Sequence, residues 1–538
     1  MCRSISAEPS HDPFPVTISR PDNRPEDVPQ GPDWGKSGAY DEARLKCQPW
    51  LLWALLTAFP CLGAAAGELS VAPTSMARIG TVDERFQSYN IEMVEVTGGR
   101  FWKPYPSARF DPHSDHYEQR RPIDLGNPLL RKLAAALAPA YLRVSGTWAN
   151  ATYFADTDLA PSAPPLGFSG VLSRQQWRGV VDFSQAVGAQ IVTSFAVSPG
   201  TRNAAGVWLP DQARRFLTYT YAVGGRVAAA EFMNEPNVSM TGGAPAGDNA
   251  AAYARDFKIF RSLVKENYPA ILVLGPGTAG EATSASDMLA ATGPGSLDVI
   301  SYHHYGILSE RCSGTSAPEE ALSEEWLSRT DLTLAFYRSL REKFEPGKPF
   351  WLTETAEAAC GGNRWDATFL DTFRYLDQLG RLAKAGVQIV MHNTLAASDY
   401  GLLDESTLAP RPNYWSALLW RLLMGSVVLD PGVPVPAGLH VYAHCQRGRS
   451  GGVSLLILNV DRSAPHVLKL PGASERYTLD AATLQDTTVR LNGLPLRLGS
   501  QEDLPRIDGV RTAAGALTLA PATITFLTVP SAGNKACQ

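Results

Sequence analysis

The sequence predicts an α/β fold: a (β/α)8 TIM barrel with a C-terminal antiparallel β-sandwich domain. Three observations lead there. At 538 residues the chain exceeds one small domain and suits a large barrel with a smaller companion. Over residues 85–428, strand-like and helix-like stretches alternate, as they do where crossover helices join parallel strands. Over 429–538 the texture changes to short β-branched runs split by Gly, Pro and Asp, the pattern of a sandwich.

Residues 1–43 are rich in Pro, Asp and Ser without apolar periodicity, and read as a disordered leader or a misassigned start. Arg44 and Lys46 then precede an apolar run and Ala64-Ala65-Ala66. That is the order of a Sec-type signal peptide over 44–66, too short to span comfortably as a mature membrane helix. Its position deep in the chain leaves two readings open, a start downstream of Met1 or an N-terminal anchor. A secreted or periplasmic protein without stable membrane insertion is expected. Residues 67–84, with "ELSVAP", are expected to lend the sandwich a strand.

Eight barrel strands follow: "SYNIEMVEV", "YLRVSG", "QIVTSFAV", "AAAEFMNEP", "ILVLGPG", "VISYHHYG", "PFWLTETA" and "VQIVMHNTL". Helical patterns such as "NPLLRKLAAALAPA", "YARDFKIFRSLVKENY" and "TFLDTFRYLDQLGRLAKAG" lie between them. The sandwich strands read as "GLHVYAHCQ", "GGVSLLILNVD", "HVLKLPG", "ERYTLDA", "TTVRLNG" and "ATITFLTVP". A net charge of −5 supplies no global basic field, so a nucleic-acid partner is not expected. No CxxC or His/Cys cluster has zinc spacing, so neither a metal nor a cofactor is expected. A monomer is expected.

Two glutamates carry the chemistry. Glu235 in "EFMNEPNVSM" and Glu354 in "PFWLTETAEA" each follow an apolar run, at the ends of the fourth and seventh strands. In a barrel, strand C-termini share one mouth, so the intervening chain does not keep the two apart. Most glutamates are solvated or ion-paired. Two at strand ends in apolar context instead suggest the acid/base and nucleophile of glycoside hydrolysis. Glu231, toward the opposite rim, and Glu357, in a loop, read as structural or solvated.

"PAYLRVSGTWANATYF", "SYHHYG", "PGKPFWLTETAEAACGG" and the long "VQIVMHNTLAASDYGLLDESTLAPRPNYWSALLWRLLMGSVVL" resemble glycoside hydrolase family 79, the family of heparanases and β-glucuronidases. The resemblance implies that Glu235 is the acid/base and Glu354 the nucleophile. It places Asn234 on the sugar 2-hydroxyl, Tyr305 beside the nucleophile, His303 on the same wall and Tyr400 on a uronate carboxylate. The backbone of Gly361 and Gly362 belongs to a glycine loop approaching that carboxylate, with Cys360 where a further glycine would stand. Glu92 takes the place of a sugar-binding aspartate, and Thr147 is a weaker binding candidate. A disulfide between Cys445 and Cys537 is also implied, and one between Cys312 and Cys360 is compatible with adjacent loops; free thiols remain the alternative. The stretch "DLAPSAPPLGFSG" is too short for an excised activation linker, so one chain is expected to be active.

The substrate expected is a polysaccharide, heparan sulfate or another glucuronic-acid-containing glycan, cut internally by a retaining endo-β-glucuronidase. Lys258, Arg261 and Lys265 on one helical face, with Arg100 and Lys103, are candidate cations for a sulfated chain. The alternatives are an exo-β-glucuronidase on small glucuronides or chain ends, and a non-catalytic glycosaminoglycan-binding protein.

Overall fold

The eight stretches close into one parallel barrel in the computed structural model. It describes residues 68–106, 110, 111, 113–238, 244, 245, 247–434 and 436–538; the leader and signal expectations fall outside these. The strands are β1 (Gln87–Glu92), β2 (Ala140–Ser145), β3 (Ala189–Thr193), β4 (Val227–Glu231), β5 (Leu272–Ala279), β6 (Val299–Leu308), β7 (Phe350–Ala359) and β8 (Ile389–His392). Parallel pairing of β8 with β1, Val390 opposite Gln87, closes the ring. Among the described residues no helix is long and apolar enough to cross a membrane.

Side chains alternate between the two faces of a strand, so each strand contributes every second residue to the barrel interior. Tyr141, Val192, Ala229, Leu274, Val299, Trp351, Ile389 and Met391 pack together as an apolar floor. One step further along the same faces stand Arg143 on β2, Glu231 on β4 and Thr353 on β7, all buried. A polar layer therefore rests on the apolar one, directly beneath the mouth.

Three expected strand limits differ. The first strand stops at Glu92, and Met93–Thr97 form a short helix. The Glu92 side chain accepts the third helical N–H, while Glu95 Oε1 accepts the Glu92 N–H at 2.8 Å. Strand β4 ends at Glu231, so Glu235 stands on the segment beyond it rather than in the ladder. Conversely β7 runs on to Ala359 beside an equally extended β6, so Glu354 and Glu357 are both strand residues. Two strands at Gly99–Trp102 and Tyr117–Arg120, which hydrophobic pattern did not suggest, form a hairpin after β1.

The all-β part comprises two sheets. A nine-stranded sheet is built around Leu439–Gln446, Val453–Asn459 and Thr523–Val529, and begins at Met424, a few residues before the expected boundary of 429. Arg78–Thr81 also joins it, pairing with Met424–Leu429. The second sheet holds Glu68–Ser70, His466–Leu470 and Gly515–Leu519, so the "ELS" stretch does add a strand. Val441, Leu455, Ile457 and Leu527 face the second sheet, whereas Tyr442, Leu456, Leu458 and Phe526 pack against the barrel's core. Burial on both faces explains the near-continuous apolar runs of these central strands.

The junction is fastened by one buried carboxylate. Asp377, on the helix Phe369–Lys384, accepts from Arg381 Nε at 2.5 Å and, on the sandwich side, from His440 Nδ1 at 2.6 Å and Tyr442 Oη at 2.5 Å. Burial pushes the Asp377 carboxyl up, but His440 and Arg381 outweigh it and leave it below its ordinary value. Burial opposes charge on His440, yet Asp377 raises it overall. The Asp377 contribution is present above about pH 3.9 and lost as pH falls through its lower folded value. That of His440 is present below about pH 6.5 and lost as pH rises through its higher folded value. Asp377→Asn should therefore cost about 3–5 kcal/mol, since it strands buried partners. His440→Gln should flatten the decline in thermal midpoint between pH 6 and 9; an unchanged decline would remove His440 from the junction's energetics.

Candidate active site

Backbone hydrogen bonding sets Glu235. The Asn234 N–H donates to Asn150 Oδ1 at 2.8 Å, and Asn150 Nδ2 donates back to the Asn234 carbonyl at 2.8 Å. This reciprocal pair diverts the chain from the β4 ladder, and Glu235 follows with φ 42°, a left-handed conformation costly for a residue with a Cβ. The result aims its side chain into a cleft of about 840 Å³, which Glu354, Tyr305, Asn393, Tyr400 and Thr147 also line.

Glu354 is held on both oxygens. Arg143 Nη1 donates to Oε2 at 2.8 Å and the Tyr305 hydroxyl to Oε1 at 2.6 Å. The same guanidinium gives Nε and Nη2 to Glu231 Oε2 at 3.0 and 2.9 Å, and Nη2 to Asn234 Oδ1 at 2.7 Å. Glu231 is thus neither solvated nor at the far rim. It is the counterion, one layer below, of the residue that grips Glu354, and Thr353 Oγ1 donates to its other oxygen. His303 stands between the two cleft acids, with Nδ1 2.9 Å from Glu235 Oε1 and Nε2 3.3 Å from Arg143 Nη2. A carboxylate only accepts, so Nδ1 is the donor.

One carboxylate oxygen of each glutamate and a His303 ring nitrogen lie within 4.8 Å of one another. Such a group is close enough to hold a cation. His303 Nδ1, Glu235 Oε1 and both Glu354 oxygens are nevertheless engaged by protein partners, and the Arg143 guanidinium already supplies positive charge there. Burial pushes the Glu354 carboxyl up, while His303, Arg143 and the Tyr305 hydrogen bond outweigh it and hold it below the usual glutamate range.

The other expected residues fall into two groups. Tyr305, Tyr400 and Thr147 line the cleft. Glu92 lies behind it: Asn393 Nδ2 donates both to Glu92 Oε1 at 3.1 Å and to the Tyr305 hydroxyl at 3.0 Å, so Asn393 stands between Glu92 and the cavity. Burial raises the Glu92 carboxyl well above its ordinary value, reinforced by the nearby Glu354 charge. Gly361 and Gly362, with φ 84° and 81°, are buried beside Tyr400, and a Cβ on Gly362 would sit 2.4 Å from Asp366 Oδ2. Among the described residues neither glycine N–H has an acceptor. Glu357 is buried in β7 rather than in a loop; it accepts from Asn363 N and Nδ2 at 3.2 Å each, and burial pushes it up to about 8.

The candidate cations divide. Arg261 donates to the Ser296 carbonyl and Lys265 to the Ile271 carbonyl, at the N-terminal ends of β6 and β5, away from the mouth. Arg100 does reach the cleft, paired with Asp115 at 2.6 Å, and Lys103 is exposed on the same hairpin. Both bridges form, Cys312–Cys360 with Cα atoms 6.2 Å apart and Cys445–Cys537 at 5.3 Å. Sequence reading missed Arg143, Asn150 and Asn393. Only Arg143 carried a signal, as a lone charge on the inward parity of an apolar strand.

The model of Glycosyl hydrolase family 79, N-terminal domain, matches residues 101–380, slightly over half of the chain, which belongs to that family and is a glycoside hydrolase. "Heparanase-like protein 1" of Arabidopsis thaliana is 26% identical over 528 residues, covering 87% of this chain and 94% of its own. "Baicalin-beta-D-glucuronidase" of Scutellaria baicalensis is 26% identical, covering 76% and 84%. The solved 4-O-alpha-L-rhamnosyl-beta-D-glucuronidase from Fusarium oxysporum 12S shares the fold, with a TM-score of 0.62, 14% identity and coverage of 86% and 99%.

The Arg143 contact generates a pH test. Removing a positive charge raises a neighbouring carboxyl, and a carboxyl group serving as nucleophile would have to be ionised. Arg143→Met should move the acidic limb of kcat/KM upward by about one to three pH units. A limb that stays in place in a folded variant would contradict the electrostatic role of Arg143.

Proposed function

We propose that the protein is a retaining β-glucuronidase working by double displacement. The approach of the two carboxylates carries this reading. One oxygen from each lying within 4.8 Å of the other agrees with the roughly 5–5.5 Å spacing of a retaining pair better than with the about 6.5–9.5 Å of an inverting one. Glu354, kept ionised by Arg143 and steadied by Tyr305, attacks the anomeric carbon as Glu235 protonates the departing oxygen. Glu235 then deprotonates water, which attacks the same carbon and releases Glu354. Throughout, the Nδ1–H of His303 orients Glu235 through Oε1, leaving Oε2 for the transferred proton. Asn234, whose Oδ1 accepts from Arg143, is the residue proposed for the sugar 2-hydroxyl. Tyr400 and the two glycine N–H groups are the donors proposed for the uronate carboxylate.

The cleft favours a chain end or a small glucuronide over the interior of a sulfated polymer. Arg261 and Lys265, two of the three basic residues on the helical face that internal cleavage of heparan sulfate would use, lie at the other end of the barrel. Trp102, stacked on Tyr117 at 4.6 Å, bounds the cleft beside the carboxylate loop; a Cβ on Gly361 would stand 2.8 Å from its ring. Internal cleavage remains the second reading, supported by the likeness to a heparanase-like protein and by Arg100 at the cleft's edge. Digestion of heparan sulfate separates the two. Single sugars released from chain ends support exo action, and mid-sized oligosaccharides endo action.

Glu354→Gln should abolish turnover in a folded protein, and a mechanism-based glucuronide should label Glu354 covalently. A label on Glu357 would overturn the assignment. Glu235→Gln should cost about 10²–10⁴-fold on alkyl glucuronides, and far less on glycosylation by an aryl glucuronide whose leaving oxygen needs no proton. Tyr400→Phe should cost about ten- to a hundredfold on glucuronides, the worth of a hydrogen bond to a charged group, and nearly nothing on glucosides. Equal losses on both sugars would remove Tyr400 from carboxylate recognition.

A further inference from the structure

We infer that Arg311, together with the Cys312–Cys360 disulfide, is a positioning device that shapes the carboxylate-recognition loop and thereby sets preference for a uronic acid over its neutral sugar. It rests on the glucuronidase reading above and assigns that site a support in which the buried Arg311 acts through the groups it holds.

Arg311 sits in the turn Glu310–Cys312 that follows β6, with a side chain only 1% exposed. Its guanidinium joins three separate segments. Nη1 donates to the Gly362 carbonyl at 2.9 Å and the Cys360 carbonyl at 3.4 Å. Nη2 donates to Asp399 Oδ2 at 2.5 Å, next to Tyr400, and to the Lys103 carbonyl of the hairpin at 2.7 Å. The hairpin grips back: His116 Nδ1 lies 2.8 Å from the Arg311 carbonyl, and the Tyr105 ring lies 3.9 Å from the guanidinium carbon. Asp399 N also donates to the Gly361 carbonyl at 3.1 Å, which ties the Tyr400 loop to the glycine loop directly.

The loop needs such a hold. Cys360, Gly361 and Gly362 have φ 61°, 84° and 81°, three left-handed residues in succession, one of them with a Cβ. The two glycines adopt this conformation readily but do not enforce it, and Cys360 adopts it at a cost, so contacts from outside must select the path. The disulfide fastens residue 360 to the residue after Arg311, and both of its cysteines line the cleft. A planar fork serves four carbonyl and carboxylate oxygens here, a geometry that a lysine ammonium does not reproduce. With those donors engaged by protein, the effect of Arg311 on a sugar must pass through Tyr400 and the two glycine N–H groups.

The test uses the full chain, with 4-nitrophenyl β-D-glucuronide and 4-nitrophenyl β-D-glucoside as substrates. The variants are Arg311→Lys and, separately, the paired Cys312→Ser/Cys360→Ser. Each should raise KM for the glucuronide about tenfold or more while kcat changes less than about threefold, because misplaced binding groups weaken recognition of the carboxylate. The glucoside should be little affected. Adding Tyr400→Phe to Arg311→Lys should cost much less than Tyr400→Phe alone, since both act on one contact. Equal loss on both sugars through kcat, or an unchanged preference in both variants, overturns the positioning role. A wild-type protein with no preference for the glucuronide would instead overturn the glucuronidase reading itself. Should Arg311→Lys lack a cooperative melting transition, the cysteine pair decides.

Discussion

A guanidinium buried beneath the barrel mouth organises the chemistry above it. Removing Arg143 from water carries a desolvation cost of several kcal/mol, tolerable only with paired counterions. Glu231 and Glu354 provide them from β4 and β7, on opposite sides of the interior. Two negative charges around one positive leave Glu354 partly uncompensated, and His303 and Tyr305 complete its surroundings from β6. The arrangement is rigid because every group in it is strand-borne and all but the cleft-lining Tyr305 are buried. Such rigidity would suit a nucleophile, whose attack depends on close placement.

Glu235 contrasts with this. It stands past the end of β4 on a left-handed residue, held by the Asn150–Asn234 pair and by His303. The strand-borne acid is fixed by charge, and the loop-borne acid by backbone and ring hydrogen bonds to polar but uncharged or switchable partners. Two carboxyl groups in different environments are suited to different protonation states, which double displacement requires. The sandwich contributes indirectly: Asp377 binds His440 and Tyr442 to a barrel helix.

Strand order and the two glutamates were legible because each depends on local pattern. Alternation of apolar and polar residues marks strands, and an acid ending an apolar run stands out within a few residues. Arg143, Asn150 and Asn393 were not legible as a set, because their partners come from β1, β4 and the segment after it, β6 and β7, and meet only when the ring closes. The basic helix shows the limit differently. Periodicity put Lys258, Arg261 and Lys265 on one face, but a crossover helix runs antiparallel to its strands, so its final turns reach the far end of the barrel. Glu357 was placed in a loop because nothing in "TETAEA" reveals that β6 and β7 extend together past the mouth.

The stereochemistry of the first product tests the central claim most directly. Proton NMR during hydrolysis of an aryl β-glucuronide resolves the anomer formed before mutarotation. A Glu354 nucleophile within 4.8 Å of Glu235 predicts the β-anomer of glucuronic acid, through a glycosyl-enzyme. Initial appearance of the α-anomer would mean single displacement by water, and would contradict the role given to Glu354 and to the arginine that holds it.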